Sequence, residues 1–170
     1  IATVATWLAW PVPVTTLRPT AAATGVRIED RHGLPLRTTR AADGTAATWV
    51  PYDQIDPDVI AAFVAVEDRR FWEHHGVDPR AVARAVGQNV RARRVVSGAS
   101  TITMQLARLL HPRDRGWTSK VAQALWAVRL DLQLSKRAIL EQYLNRVQLG
   151  QATAGVAAAA LRERLEASRE

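Results

Sequence analysis

A carboxylate pair follows an apolar run near the middle of the chain. Glu67 and Asp68 come directly after Ala-Phe-Val-Ala-Val, and Arg69 and Arg70 follow them. A carboxylate that emerges from an apolar helix is partly shielded from water, which makes it a better proton acceptor. These residues therefore predict a general base at Glu67. The competing interpretation is an ordinary acid at a helix end that pairs with a neighbouring arginine.

A second candidate is the segment SGASTITMQ, Ser97–Gln105. Its small residues precede a predicted helix, and free backbone N–H groups at a helix N-terminus attract anions. The hydroxyls of Ser100, Thr101 and Thr103 would add hydrogen-bond donors. The segment lacks the G-x-x-x-x-G-K-[ST] pattern of a P-loop. The alternative is that its hydroxyls simply cap the helix.

The lysines are a third candidate. The chain has only two, Lys120 and Lys136, and each lies near the start of a predicted helix. A cation in the first turn opposes the helix dipole. This unfavourable placement suggests a point charge for a phosphate group, whereas the ordinary interpretation is a solvated lysine.

Charge and composition restrict the chemistry further. The chain carries 23 Lys and Arg against 16 Asp and Glu, with a net charge of +7 and a pI near 11.1. Such a surface favours nucleic acid, acidic lipid headgroups or diphosphates. The 170 residues contain no cysteine, which excludes disulfides, thiolate metal sites and cysteine nucleophiles within them. The four histidines form no recognised ligand pattern, so no metal site is predicted.

The start of the chain, IATVATWLAW, is apolar and uncharged. This stretch is too short to cross a bilayer core, which needs roughly 20 residues in a helix. We expect it to be the last half of a membrane span, with Trp7 and Trp10 at the interface. The predicted partial anchor covers residues 1–14. A frayed apolar terminus and the end of a signal peptide are the alternatives.

A linker and a small β element are predicted over residues 15–55. Val26–Asp30 and Leu34–Thr38 alternate apolar and polar residues on either side of a short turn, which is typical of a hairpin. Trp49–Pro51 is predicted to add a further strand to this sheet.

From residue 56 onward the apolar residues follow a helical period. Asp56-Pro57 and Asp78-Pro79 each place a capping carboxylate before a proline at the first helical position. Ser100 and Ser135 are predicted to cap two further helices, and Pro112 would end the first of these.

A helix is also predicted from Ser119 to Leu134, and an Ala-rich helix after Gly155. The apolar stripes expected on the helices, in chain order, are Val59, Ile60, Phe63 and Val66; Val82, Ala85, Val86 and Val90; Ile102, Leu106, Leu109 and Leu110; Val121, Leu125, Val128 and Leu132; and Ile139, Leu140, Tyr143 and Leu144.

Three segments together resemble glycosyltransferase family 51, the polymerase module of class A penicillin-binding proteins and of monofunctional peptidoglycan transglycosylases. EDRRFWEHHG, Glu67–Gly76, fits the motif E-D-x-x-F-x-x-H-x-G at every fixed position. GASTITMQ, Gly98–Gln105, is similar to the second motif, and its Met104 resembles the penicillin-binding protein 1C branch. KRAILEQYLN, Lys136–Asn145, fits K-x-x-I-L-E-x-Y-L-N.

The resemblance implies a mainly α, lysozyme-like glycosyltransferase domain over residues 56–170 that is incomplete at its C-terminus. It implies polymerisation of lipid II into glycan strands with release of undecaprenyl diphosphate. Glu67 would accept the proton of the 4-hydroxyl of the acceptor N-acetylglucosamine. That oxygen would then attack C1 of N-acetylmuramic acid on the growing strand.

The resemblance also implies roles for neighbouring residues. Arg108, in the place of a family lysine, and Lys120 are expected to hold the departing diphosphate. Ser100, Thr101 and Gln105 are expected to line the donor groove. The other residues expected at the substrate site are Asp68, Phe71 and His74, which would order the loop around Glu67, and Lys136. Mainly structural roles are expected for Glu141 and Asn145.

Two departures from the family pattern stand out. The third motif, usually R-K-x-x-E, is here Ser119–Gln123, so Gln123 replaces a carboxylate often assigned to donor activation. We expect Gln123 to orient substrate, which leaves Glu67 as the only base. No S-x-x-K acylation motif occurs in these 170 residues, so neither transpeptidation nor penicillin binding is expected of them.

The resemblance implies a location on the outer face of the bacterial cytoplasmic membrane, held by a single-pass anchor. The expected partners are lipid II, the growing glycan strand, membrane lipid and other cell-wall synthesis proteins, but not nucleic acid. No cofactor is expected to be required, although Mg²⁺ could assist. The alternatives are a lytic enzyme of lysozyme type, a catalytically impaired membrane-bound scaffold or cell-wall-binding module, and a nucleic-acid-binding protein.

Overall fold

The computed structural model describes residues 2–13, 17, 27–32, 35–38, 49–96, 98–114 and 116–147. The elements in these ranges are α1 Ala2–Ala9, β1 Arg27–Glu29, β2 Pro35–Thr38, a 3₁₀ turn Tyr52–Gln54, α2 Pro57–Glu67, α3 Pro79–Ala92, α4 Ile102–Leu110, α5 Trp117–Gln133 and α6 Lys136–Leu144. The described chain is therefore mainly helical, as predicted. The helix predicted after Gly155 lies outside the described residues.

The chain forms two compact units. The first contains Ile1–Val12 and Asp56–Leu140, and the second contains Pro13–Ile55 and Glu141–Glu170.

Helix starts in the first unit follow local sequence signals. Asp56 accepts a hydrogen bond from the backbone N–H of Asp58 at 2.8 Å, and Asp78 accepts one from the N–H of Arg80 at 2.9 Å. Proline occupies the first helical position after each cap, where its missing N–H costs nothing. Both predicted caps are confirmed.

The start of α4 was predicted one residue too early. Thr101, not Ser100, is the N-cap, and its Oγ1 accepts a hydrogen bond from the backbone N–H of Met104 at 3.1 Å. The Ser100 hydroxyl instead accepts a hydrogen bond from Lys120 Nζ at 3.0 Å. The end of the helix at Leu110, just before Pro112, agrees with the prediction.

The core of the first unit forms where α4 packs against α5. Its most deeply buried apolar residues are Phe71, Ile102, Leu106, Ala107, Ala127, Leu130, Ile139 and Leu140. Burial of each large side chain contributes about 1.5–3 kcal/mol.

Two predicted apolar stripes do not face this core. On α5, Val121, Leu125 and Leu132 are exposed, and the buried residues are Ser119, Ala127, Arg129 and Leu130. On α3, Val82, Val86 and Val90 are exposed, and Ala81 and Ala85 are buried. On α5, Ala127 lies where the backbone of Gly76 approaches closely, which leaves no room for a large side chain. Of the residues in these two predicted stripes, Ala85 is buried as expected and Val128 is half-buried, but the others are exposed.

Gly76 is required where the loop after α2 touches α5. Its φ is +79°, and a Cβ at this position would lie 2.4 Å from the carbonyl oxygen of Ala127. Only glycine fits both the left-handed backbone and this approach. The contact fixes the loop between α2 and α3 against the core.

Helix α1 is held against α5 by polar contacts to its carboxyl end. Arg129 donates hydrogen bonds to the carbonyls of Trp10 and Pro11, and Gln133 donates to those of Leu8 and Trp10. These bonds satisfy carbonyls that a helix end leaves without intrahelical partners. In the described residues, no helix is long and apolar enough to cross a membrane.

The second unit contains the predicted hairpin region. Strands β1 and β2 pair antiparallel, with Ile28 opposite Arg37 and an irregularity between Ile28 and Glu29. The predicted strand at Trp49–Pro51 is wrong. Its backbone is paired with a side chain instead, because both Val50 N–H and Val50 C=O bond to the amide of Asn145, at 2.7 and 2.8 Å.

Glu141 completes this arrangement in the second unit. Its carboxylate accepts hydrogen bonds from Trp49 Nε1 at 3.1 Å and from the backbone N–H of Tyr52 at 2.9 Å. These contacts agree with the structural roles expected for Glu141 and Asn145.

Candidate active site

Glu67 is the last residue of α2 and lies on the same face as the buried Ile60 and Val64, at a spacing of i, i+4 and i+7. The core ends before this last turn, so the Glu67 side chain is exposed. The predicted desolvation by the preceding apolar residues is therefore wrong. Gln105 Nε2 donates a hydrogen bond to Glu67 Oε2 at 2.8 Å and joins this carboxylate to α4.

Asp68 lies next to Glu67 but is buried. Its carboxylate accepts hydrogen bonds from His74 Nε2, at 3.0 and 3.1 Å, and from the backbone N–H of Ile102 at 3.0 Å. His74 Nε2 acts as the donor here, and its buried Nδ1 has no partner among the described residues. Asp68 thus ties the loop after Glu67 to the start of α4, as expected of a residue that orders this loop.

Phe71 contributes to the same loop by packing. Its ring is fully buried and makes edge-to-face contacts with Trp72 and His74, at centroid distances of 5.1 and 6.3 Å. Aromatic contacts of this geometry contribute about 0.5–1.5 kcal/mol each beyond the area that they bury. Phe71 is therefore part of the support beneath Glu67, not of an open surface.

Lys136 does not have the role expected for it. Its Nζ donates to the carbonyl oxygen of His74 at 2.6 Å, pairs with Asp131 and lies 4.7 Å from the centre of the Phe71 ring. An ammonium group with three such neighbours is not free to hold a substrate phosphate. The structure assigns it to holding the loop, and the prediction of substrate binding is corrected.

Thr101 is also largely committed to the fold. Its hydroxyl donates to the carbonyl oxygen of Gly76 at 2.6 Å while it accepts the capping bond of α4. The residue is buried and borders the groove beside Glu67, but its one hydroxyl proton is already donated to Gly76 and leaves no donor for a diphosphate. We therefore correct its expected contact with the donor: it shapes the groove instead.

The cationic side chains of Arg108 on α4 and Lys120 on α5 are exposed to solvent. Arg108 follows Thr101 and Gln105 on one face of α4, at i+7 and i+3 respectively, and its side chain is exposed. Lys120, at the start of α5, is exposed as well and reaches the hydroxyl of Ser100. This contact brings the first turn of α5 to the N-terminus of α4.

Gln123 lies one turn beyond Lys120 and is half-buried. Its Nε2 is 3.5 Å from Ser119 Oγ, at the outer limit of a hydrogen bond. The amide is thus weakly held by its own helix, and its predicted role in orienting substrate stays a prediction.

A groove of about 560 Å³ opens beside Glu67. Its lining residues are Val66, Glu67, Asp68, Arg69, Arg70, Asp78, Ala81, Arg84, Gly98, Ala99, Ser100 and Thr101. It combines the guanidinium groups of Arg69, Arg70 and Arg84 with three carboxylates, those of Glu67, Asp68 and Asp78, of which only Glu67 is exposed. Because Arg70 is paired with Asp78, the guanidinium groups of Arg69 and Arg84 remain for an anionic group near Glu67.

The groove arginines were missed as site residues in the sequence. Arg84 falls between Ala81 and Ala85 on the small-residue face of α3, and an arginine on such a face was the available signal. Arg70 is partly engaged, because it bonds to Glu73 and Asp78, both at 2.9 Å.

The charge of Asp78 is stabilised at the edge of the groove. Burial alone would raise the pKa of its carboxyl, but the backbone N–H groups of Ala81 and Arg80 and the charge of Arg70 lower this pKa below its ordinary value. Asp78 therefore stays ionised and holds Arg70 in place.

The described residues contain no cluster of three or more His, Asp or Glu that could hold a metal ion.

A sequence model of the family described as transglycosylase matches residues 33–162, which include every site residue discussed above. The chain belongs to the transglycosylase family. Its relatives include penicillin-binding proteins and a biosynthetic peptidoglycan transglycosylase. It is 39% identical over 150 residues to penicillin-binding protein 1C of Escherichia coli K12, a match that covers 88% of this chain and 19% of the relative.

Two further relatives match over different shares of their own length. Penicillin-binding protein 1A of Aquifex aeolicus is 48% identical over 113 residues, 66% of this chain and 16% of the relative. A biosynthetic peptidoglycan transglycosylase of Nitrosospira multiformis is 39% identical over 125 residues, 73% of this chain and 54% of the relative. The chain thus spans less than a fifth of these penicillin-binding proteins and about half of the transglycosylase.

Proposed function

We propose that this chain is the part of a peptidoglycan glycosyltransferase that polymerises lipid II. Membership of the transglycosylase family and the name of the Nitrosospira relative support this reaction class. The observation that carries the proposal is Glu67, an exposed carboxylate held by Gln105 at the edge of an arginine-lined groove.

In the proposed reaction, Glu67 accepts the proton of the C4 hydroxyl of the acceptor sugar. The hydroxyl oxygen forms a bond to C1 of the donor sugar as the bond from C1 to the diphosphate oxygen breaks. A sugar hydroxyl is a poor nucleophile without a base, whereas a diphosphate leaves without a proton if cations stabilise it. The electron pair of the broken bond stays on undecaprenyl diphosphate.

The exposed cations Arg108 and Lys120 are proposed to neutralise the leaving diphosphate, and Ser100 and Gln105 to border the donor. Gln123 is proposed to orient the donor without carrying charge. We propose no resident cofactor, and any Mg²⁺ would arrive bound to the diphosphate.

We further propose that the domain is lysozyme-like and acts on the outer face of the cytoplasmic membrane, with α1 at the end of an anchor. The support is the apolar sequence of α1 and the exposed ring of Trp10 after it. In this location, the other proposed partners are the growing glycan strand, membrane lipid and other cell-wall synthesis proteins.

The test of the function is polymerisation of labelled lipid II by the wild-type chain and by Glu67→Gln. We expect the substitution to lower the rate at least about a hundredfold, as for removal of a general base. Asp58→Asn, an exposed carboxylate on the same helix, serves as the matched control and should polymerise normally. A Glu67→Gln variant that extends strands at the wild-type rate would overturn the mechanism.

The same protein incubated with purified sacculi separates the alternatives. Release of soluble muropeptides without any polymer would identify a lytic enzyme. A folded chain that neither polymerises lipid II nor cleaves sacculi would be a scaffold.

A further inference from the structure

An apolar surface lies exposed on α1 and α5, in the first unit. Trp117, Val121, Leu125 and Leu132 recur on one face of α5, and their exposed fractions are 87%, 59%, 40% and 64%. This is largely the stripe that the sequence predicts to be buried. Single exposed apolar residues are ordinary, but a contiguous exposed apolar stripe usually marks a binding surface.

A groove about 370 Å³ in volume lies between α1 and α5 beside this stripe. Its apolar walls are Val4 and Trp7 from α1 and Ala122, Leu125 and Trp126 from α5. A second hollow of about 390 Å³ shares Thr3 and Trp7 with the first and extends to Trp10. Volumes in this range accommodate small ligands or part of a lipid chain.

Positive charge is concentrated at this groove. Arg113 lines it, and the guanidinium of Arg129 lies 4.5 Å from the ring centre of Trp7 and 4.6 Å from that of Trp126. His111 stacks on Trp126 at 3.8 Å, and burial followed by the charges of Arg113 and Arg129 lowers the pKa of this histidine.

The two arginines differ in whether their guanidinium groups are available to bind a ligand. Arg129 is buried and donates its hydrogen bonds to the carbonyls of Trp10 and Pro11. Arg113 is exposed, and no hydrogen bond or ion pair of its side chain occurs within the described part of the chain. An apolar groove with one available guanidinium at its edge matches an amphiphile that has a hydrocarbon tail and an anionic head.

We propose that the groove between α1 and α5 binds an acyl chain of an anionic bilayer phospholipid, with the lipid phosphate on Arg113. Exposed tryptophans beside it, Trp10 and Trp117, are typical of residues at a membrane–water interface. This site shares no lining residue with the groove beside Glu67. It deepens the proposed contact with membrane lipid and rests on the membrane location proposed for α1, but lipid binding here requires no glycosyl transfer.

The experiment is co-sedimentation of the 170-residue chain with vesicles of phosphatidylcholine, with and without phosphatidylglycerol. We expect tighter binding to the vesicles that contain phosphatidylglycerol. Arg113→Gln should weaken this binding about fivefold, the effect of roughly one basic residue at a membrane surface. Arg91→Gln removes the same charge from an exposed position on α3 and should change the affinity less than twofold.

The acyl-chain contact needs a separate variant. Leu125→Gln should weaken binding to both kinds of vesicle, whereas Val95→Gln, an exposed valine outside the groove, should not. Unfolding midpoints equal to that of the wild type establish that the variants are folded. Equal losses in Arg113→Gln and Arg91→Gln would overturn the site in favour of overall charge, and an unchanged Leu125→Gln would overturn the groove.

A result without preference for phosphatidylglycerol, or without any vesicle binding, would also overturn the proposal and favour a protein partner for the α1–α5 surface. Because no lipid II is present, these outcomes are independent of the proposed polymerase activity. A failed polymerisation assay would therefore leave the lipid site unaffected.

Discussion

The orientation of the Glu67 side chain depends on its neighbours, because packing constrains an exposed residue at a helix end only weakly. The residue ends α2, its side chain is exposed, and the hydrogen bond from Gln105 connects it to a second helix. Beneath it, the buried contacts of Asp68 with His74 and with the N–H of Ile102 hold the loop in one conformation. We infer that Gln105 sets the direction of the proposed base and that Asp68 sets its position.

The contribution of Gln105 can be measured. We expect Gln105→Ala to lower the rate of lipid II polymerisation about tenfold, since a hydrogen bond to a charged group contributes about 1.5–3 kcal/mol. In the Glu67→Gln background the same substitution should lower the rate by less than it does in the wild type, because the carboxylate that Gln105 orients is already absent and only its proposed contact with the donor remains to be lost. Gln88→Ala, an exposed glutamine on α3, is the control. Fully multiplicative losses in the double variant would contradict a role through Glu67.

Asp78 predicts a pH dependence of stability. Its pKa is lower in the folded chain than in the unfolded chain, so its contribution is complete above the unfolded value, about pH 4, and is lost as pH falls through the folded value. At pH 6, Asp78→Asn should therefore lower the free energy of unfolding by about 2 kcal/mol. The difference from wild type should shrink towards pH 2.5.

Urea unfolding at both pH values tests this dependence. Asp56→Asn is the comparison, because Asp56 makes the same capping bond from an exposed position. A difference between wild type and Asp78→Asn that widens on acidification would contradict the lowered pKa.

At the scale of the elements, the sequence was sufficient where the signal is local. The caps at Asp56 and Asp78 follow from an acid before a proline, and both were predicted correctly. Most of the residues predicted to be buried on α3 and α5 are exposed instead, because each helix carries a stripe of apolar residues on a side that does not pack against the core. Only the tertiary packing decides which side the neighbouring backbone approaches.

The candidate site shows the same difference between what local sequence predicts and what only the complete fold determines. Motif spacing identified Glu67, Asp68 and Gln105, which the fold does bring together. It could not reveal that Lys136 bonds to the carbonyl oxygen of His74, since that contact joins positions far apart in the chain. Long-range hydrogen bonds are set by the complete fold.

Two glycines provide a matched test of the loop before α3. Gly76→Ala should lower the free energy of unfolding by at least about 2 kcal/mol, because the new methyl group would meet the carbonyl of Ala127 and strain a left-handed backbone. Gly87→Ala should raise it by about 0.5–1 kcal/mol, since Gly87 is helical and an added Cβ meets nothing within 4 Å. Urea denaturation of both variants checks the pair. Equal effects would mean that the approach at Gly76 is not as close as described.

At the scale of the whole molecule, the net charge of +7 has a spatial pattern. One group of arginines, Arg69, Arg70 and Arg84, lines the groove of Glu67, and another, Arg113 and Arg129, lies at the apolar groove of α1 and α5. Composition alone predicted an anionic partner. It could not reveal that three carboxylates balance the arginines of the first groove, whereas no carboxylate lines the second.

The 170 residues should not react with β-lactams. They contain no S-x-x-K motif to form an acyl-enzyme. Incubation with a fluorescent penicillin followed by denaturing electrophoresis should therefore give no labelled band that an excess of unlabelled penicillin removes. A specific band would reveal an acylation site outside any S-x-x-K motif.

The bonds from Arg129 and Gln133 to the carboxyl end of α1 have a mechanical consequence. Tension applied to the chain ahead of α1 would pass through these side chains into α5 before it reached the segment that follows Val12. In a pulling experiment from the N-terminus, the first rupture should therefore be the release of α1, at a force that Arg129→Ala lowers.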